Sequence, residues 1–200
     1  MTSVAASSSS SNAEILVPKT KFQLMQLIKH RKKTGIVIGD LDICKVNDLS
    51  DLFAYSDFNE PLTNWNTNHV YTMERMFENN TAFNQPLDHF EVNGVILRQM
   101  FSGASAFNQP LESWDMAGAQ DLSYMFYGTK AFNQPLNNWN THNVKNMSYM
   151  FFGSSFNQSL DNWNTDRVTN MDNMFWNSSI EFKPNTEGVC DGWKEMNPRG

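Results

Sequence analysis

The feature that most limits what this chain can become is a motif that returns every 24 or 25 residues, opening with a Phe-Asn pair at Phe58, Phe83, Phe107, Phe132 and Phe156. The fullest copy runs Phe132-Asn133-Gln134-Pro135-Leu136-Asn137-Asn138-Trp139-Asn140-Thr141, followed by a Met-rich stretch from Val144 to Phe151. A fixed period in this range marks a stacked repeat, because a single copy has no partner for its apolar face.

Each column of the alignment carries a physical expectation. Asn59, Asn84, Asn108, Asn133 and Asn157 recur one copy apart, so their amides can form a ladder that bonds irregular backbone at a corner. Pro61, Pro86, Pro110 and Pro135 fix φ there, and Ser159 interrupts that column. A leucine follows (Leu62, Leu87, Leu111, Leu136, Leu160), then an aromatic three residues on (Trp65, Phe90, Trp114, Trp139, Trp163). Each copy closes on Met73/Met76/Phe77 or its equivalents, a column that holds eight of the twelve methionines. Unbranched thioethers suit an irregular stacked core. The spacing of Val144, Met147 and Met150 fits one helical turn or a coil entering a short strand. The strand is the preferred reading, with Met150-Phe151-Phe152 and its equivalents as short parallel strands.

The flanks divide as follows. Residues 1–14 are a Ser- and Ala-rich tail that does not pack alone, ordered only if a partner holds it. Residues 15–38 contain a cap helix from Pro18 to Lys33, started by Thr20 with Gln23 as a capping box and stopped at Gly35. Residues 39–183 are the repeat body, one degenerate copy (Leu41 to Phe53) plus five full ones, and residues 184–200 form a closing cap or tail. Charge divides along the same line. The first 34 residues carry six basic side chains and one acid, whereas the rest carry nine basic and twenty acidic ones. The cluster His30-Arg31-Lys32-Lys33 reads as a cationic helix end that complements the helix dipole, rather than a phosphate contact. The acidic body argues against nucleic acid as a partner.

The run F-N-Q-P-L-x-x-W-x-T-x-x-V-x-x-M-x-x-M-F resembles the BspA-like leucine-rich repeat proteins, a group first described as mycoplasma lipoprotein-type repeats of unknown function. The resemblance covers about residues 15–183. It implies a leucine-rich-repeat-like right-handed solenoid, with short parallel β-strands and an N-terminal α-helical cap, serving as a binding or surface scaffold. This chain departs from the surface members. Met1 to Asn12 makes no signal peptide, no cysteine there can carry a lipid anchor, and no apolar run reaches the length of a transmembrane segment. The expectation is an intracellular or virion-associated protein.

No catalytic or metal-binding constellation stands out. His30, His69, His89 and His142 are scattered, Cys44 and Cys190 are far apart, and there is no phosphate-cradling glycine loop. Neither a cofactor nor an enzymatic activity is expected. The expected function is a non-enzymatic scaffold for another protein, in a structural or virion-type assembly; a carbohydrate-binding or adhesin-like module is the alternative. Two surfaces are candidates. Strand alternation would turn Phe77, Phe101, Phe126, Phe151 and Phe175 outward as an aromatic stripe, although burial of both members of each Met-Phe pair avoids so large an exposed apolar row. The Trp column, with Asn64, Asn138 and Asn162 beside it, could stack sugars if exposed, or fill the core with its N–H groups bonded at a corner.

Overall fold

The computed structural model describes residues 16–180. Its one α-helix among them, α1, spans Lys21–Thr34. Thr20 caps it by accepting from the Gln23 N–H at 3.2 Å, while the Gln23 side chain reaches back to the Lys19 N–H rather than to the cap residue. Gly35 ends the helix at φ 71°, a left-handed conformation for which glycine has no Cβ penalty. Leu24 and Ile28 are buried against the first copy, whereas Phe22 and Met25 face outward. Ion pairs fix the docking. Lys21 meets Asp48 at 3.1 Å, Arg31 meets Glu60 at 2.7 Å, and Lys32 meets Asp57 at 3.0 Å. The Arg31 guanidinium also lies 5.2 Å from the Phe58 ring centroid. Two members of the basic cluster are thus spent on holding the cap to an acidic first copy. The expected Ser-rich tail and closing cap lie outside the described residues.

The expected stack of parallel strands is not what the chain forms. Apart from α1 and a 3-10 turn at Ile38–Asp40, the described residues contain no strand or sheet, only isolated parallel bridges that link Asp48, Thr72 and Ile96, and Asp121, Asn146 and Asn170. The reason lies in the backbone of the Met-Phe runs. Two residues four apart have left-handed φ in each: Arg75 and Asn79, Gln99 and Gly103, Tyr124 and Gly128, Tyr149 and Gly153. A left-handed residue cannot continue an extended strand, so the run becomes a series of linked turns. The Met76, Glu78 and Asn80 N–H groups close turns onto the carbonyls of Met73, Arg75 and Phe77. The intervening N–H groups point to the next copy instead. Met73, Arg75, Phe77 and Asn79 donate to Ile96, Arg98, Met100 and Ser102 at 2.7–3.1 Å. The pattern recurs between later copies, as from Tyr124 to Ser148 and from Phe126 to Met150, although among the described residues Leu97 makes no such bond at the start of its run.

Linked turns give a period of four rather than two. Met73, Met76 and Phe77 are buried, while Glu74 is half-buried and Arg75 exposed. Consecutive residues therefore face the same side, which strand alternation forbids. The core consists of aromatic ladders running through the stack. Phe126, closing one copy, lies 4.1 Å from Phe132, which opens the next, and its equivalents Phe101 and Phe151 lie 5.7 and 5.6 Å away. Trp114, Trp139 and Trp163 form a second ladder at 6.5 and 6.2 Å. Burying each such ring contributes about 2–3 kcal/mol, and each offset pair about 1 kcal/mol more. The Asn corner is a real ladder. The Oδ1 atoms of Asn59, Asn84, Asn108 and Asn133 each accept from the backbone N–H of the next asparagine in the column, at 2.8–2.9 Å.

Candidate functional site

The structure buries both surfaces that the sequence offered as binding sites. Phe77, Phe101, Phe126, Phe151 and Phe175 all lie inside, so no outward stripe is formed by them. The reason is the four-residue period, which places Met76 and Phe77, and each equivalent pair, on the same side. Trp65, Trp114, Trp139 and Trp163 are buried too, and each indole N–H donates to a carbonyl 2.8–2.9 Å away on Ile38, Leu87, Leu111 or Leu136. Phe90 takes the Trp place in the second full copy and has no N–H to give. There His89 bonds the waiting Leu62 carbonyl through Nε2 at 3.1 Å. The Trp column is thus a set of core clamps, and its rings offer no face for a sugar.

Outward positions of the same runs carry a different aromatic set. The first left-handed position is Asp51, Arg75, Gln99, Tyr124, Tyr149 and Asn173 in successive copies, and the residue after the buried Phe is Ala54, Glu78, Ser102, Tyr127, Phe152 and Trp176. Tyr124 stacks on Tyr149 with centroids 4.7 Å apart and planes at 7°. Tyr127 stacks on Phe152 at 4.9 Å and 8°. The two columns touch at 5.8 Å across both copies, and Trp176 holds the position equivalent to Phe152 in the following copy, 41% exposed. Burial raises the Tyr124 phenol pKa, with Tyr149 and Tyr127 adding to the shift and Arg98 opposing it, so the ring stays neutral.

Two physical facts set this face apart. Tyr124 and Tyr149 sit at φ 59° and 57°. A bulky residue there costs about 1–2 kcal/mol relative to glycine, so the backbone has not selected tyrosine. The aromatic ladder also stops abruptly. Below Tyr124 and Tyr127 the next copy presents Gln99, Ser102 and Gly103, and the gap opens into a depression of about 420 Å³ lined also by Glu78 and Asn79. The neighbouring charges are paired, Arg75 with Asp51 at 2.8 Å and Arg98 with Glu74 at 3.6 Å. Glu78 has no ion pair among the described residues.

Residues 22–120 and 96–193 each match the family described as "Mycoplasma protein of unknown function, DUF285". The chain belongs to this family. No curated protein and no solved structure matches it. The two overlapping matches in this DUF285 chain reflect its internal repetition.

Other candidate chemistry stays dispersed. His69 bonds the Ile43 and Val46 carbonyls of the preceding copy through Nε2, whereas His142 bonds Asn140 in its own corner at 2.8 Å. Among the described residues no group of three or more His, Cys, Asp or Glu is placed to hold a metal. No helix among them is long and apolar enough to cross a membrane. The surface aromatic face has no repeating column to signal it. Its signal was the opposite one: aromatics at positions that other copies fill with Asp51, Glu78 or Ser102.

Proposed function

We propose that the protein is a non-enzymatic repeat scaffold that binds another protein through the face formed by Tyr124, Tyr127, Tyr149, Phe152 and Trp176. One observation carries the reading: four aromatic side chains stack on one outward surface at positions where the repeat requires none, and an exposed Trp176 follows at the equivalent position one copy later. Tyr and Trp are the residues that anchor protein interfaces, since a rigid ring supplies contact area with little conformational entropy to lose. The resemblance to BspA-like scaffold repeats supports the same reading, and the proposal extends to a role within a larger assembly.

The test replaces Tyr127 and Phe152 together with serine, the residue that Ser102 already supplies at the same position. Losing two interface anchors at about 2 kcal/mol each weakens binding by about a thousandfold. Quantitative affinity capture followed by titration of the recovered partner reads this out. The double variant must lose the partner while Glu112→Gln, on a distant exposed site, keeps it. Equal capture by both variants excludes the aromatic face as the interface.

A further inference from the structure

The aromatic ladder ends at a missing rung, and the gap has both a shape and a charge. Tyr124–Tyr149 and Tyr127–Phe152 repeat at 4.7 and 4.9 Å, the spacing of neighbouring hydrogen-bonded chains. One step further down the stack the same positions hold Gln99 and Ser102, with Gly103 beyond. The ring faces of Tyr124 and Tyr127 that point that way have no ring partner among the described residues, since each stacks on the later copy alone. A flat group of single-ring thickness continues the ladder at its own pitch. The opposite wall carries Glu78, which forms no close ion pair among the described residues; Arg75, the cation that feels its charge, is held in contact with Asp51 instead.

We infer that this gap is a receptor for one arginine side chain of the partner protein, its guanidinium stacked on Tyr124 and Tyr127 and paired with Glu78. The inference rests on the proposed interface and specifies what that interface reads. Three chemistries compete for a flat slot, and charge separates them. A nucleobase brings phosphates towards Glu78 and a body with an excess of acids, which repels them. An uncharged ring leaves Glu78 desolvated and unpaired. A guanidinium satisfies both walls, because it is planar, always charged and attracted to the negative face of an aromatic ring. A lysine ammonium offers the charge without the plane, so it covers little of the ring face.

The probes are N-acetyl-arginine amide, the matching lysine amide and the uncharged citrulline amide, titrated into the full chain and followed by amide chemical shifts. Arginine amide is expected to shift Ser102, Gly103 and Tyr124 saturably, with lysine and citrulline at least tenfold weaker. Glu78→Gln is expected to lower arginine affinity about tenfold. Ser102→Tyr, which supplies the absent ring as Tyr127 does one copy later, should abolish the response. Equal shifts with citrulline, or an unchanged titration in Glu78→Gln, overturn the inference. Capture of the partner separates this from failure of the interface itself. If Tyr127→Ser/Phe152→Ser loses the partner but Glu78→Gln and Ser102→Tyr keep it, the interface stands and the arginine slot falls.

Discussion

The substitution Gly128→Ala distinguishes linked turns from strands by the sign of its effect. In an extended strand, alanine for glycine stabilises by about 0.4–1 kcal/mol, because the unfolded chain has fewer conformations to lose. Gly128 instead has φ 66°, and a Cβ added there meets nothing within 4 Å, so conformation alone decides the outcome. Placing an L-residue in the left-handed region costs about 1–2 kcal/mol. Setting the unfolded-state gain against that cost leaves a net loss of about 0.5–1 kcal/mol. The backbone itself survives, since Tyr55 and Asn79 hold the same conformation in earlier copies.

Gly103→Ala supplies the internal control. Its φ is 69°, close to that of Gly128, but a Cβ there collides with the Asn79 side chain and comes within 3.4 Å of the Asn79 Cα. Overpacking adds about 1–3 kcal/mol to the conformational cost, so Gly103→Ala must be the more damaging of the two. Gly128→Asn tests the explanation from the other side, because asparagine tolerates left-handed φ and should fall closest to wild type. Urea unfolding with an unchanged denaturant slope measures all three. A higher midpoint for Gly128→Ala, or equal losses for Gly103→Ala and Gly128→Ala, refutes the linked-turn account.

Other perturbations probe the clamps and the cap. Trp139→Phe keeps the ring stack but removes the 2.8 Å indole bond, leaving the Leu111 carbonyl only the Trp114 N–H, and should cost about 0.5–1.5 kcal/mol in chemical denaturation. Arg31→Ala removes the bonds to Glu60 and the Ile28 carbonyl and should cost about 2 kcal/mol, seen as loss of the far-ultraviolet helical signal before the aromatic core unfolds. Burial would raise the Asp48 carboxyl pKa, but hydrogen bonds from Ser50 and Lys21 outweigh it and hold it below the ordinary value. A depressed folded pKa stabilises above the unfolded value and loses that contribution as pH falls through the folded one. Docking of α1 should therefore weaken on acidification below about pH 4, and Asp48→Asn should remove that part of the pH dependence.

The parts of this fold that could be read from the sequence are those in which one residue type states its own reason. Thr20 and Gly35 bound the cap helix because only a side-chain acceptor and a Cβ-free residue suit those places. The asparagine ladder was legible because identical amides recur at one copy spacing. The Met-Phe runs were not, since Met147, Met150 and Phe151 fit a helical turn as well as an entry to a strand. What decides between them is left-handed φ at Tyr149 and Gly153, and only the glycine announces it. Arg75, Gln99, Tyr124 and Tyr149 adopt a conformation their side chains disfavour, imposed by hydrogen bonds to the copies on either side. That is a tertiary effect on a local choice, and no local propensity encodes it.

The four-residue period also explains why an interface can be written on this scaffold without disturbing it. Within each run the inward pair is filled by Met and Phe in nearly every copy, while the outward pair ranges from Asp51 and Ala54 to Tyr149 and Phe152. An outward side chain makes no contribution to the aromatic ladders inside, so its replacement changes only surface stacking and backbone strain. For Tyr149→Asn these oppose each other: loss of the Tyr124 stack removes about 0.5–1.5 kcal/mol, and relief of left-handed strain returns about 1 kcal/mol. Asn173 already occupies the equivalent position one copy later. Tyr149→Asn should therefore leave the unfolding midpoint nearly unchanged while weakening capture of the partner about tenfold or more. A large stability loss in that variant would mean that the aromatic face belongs to the fold rather than to recognition.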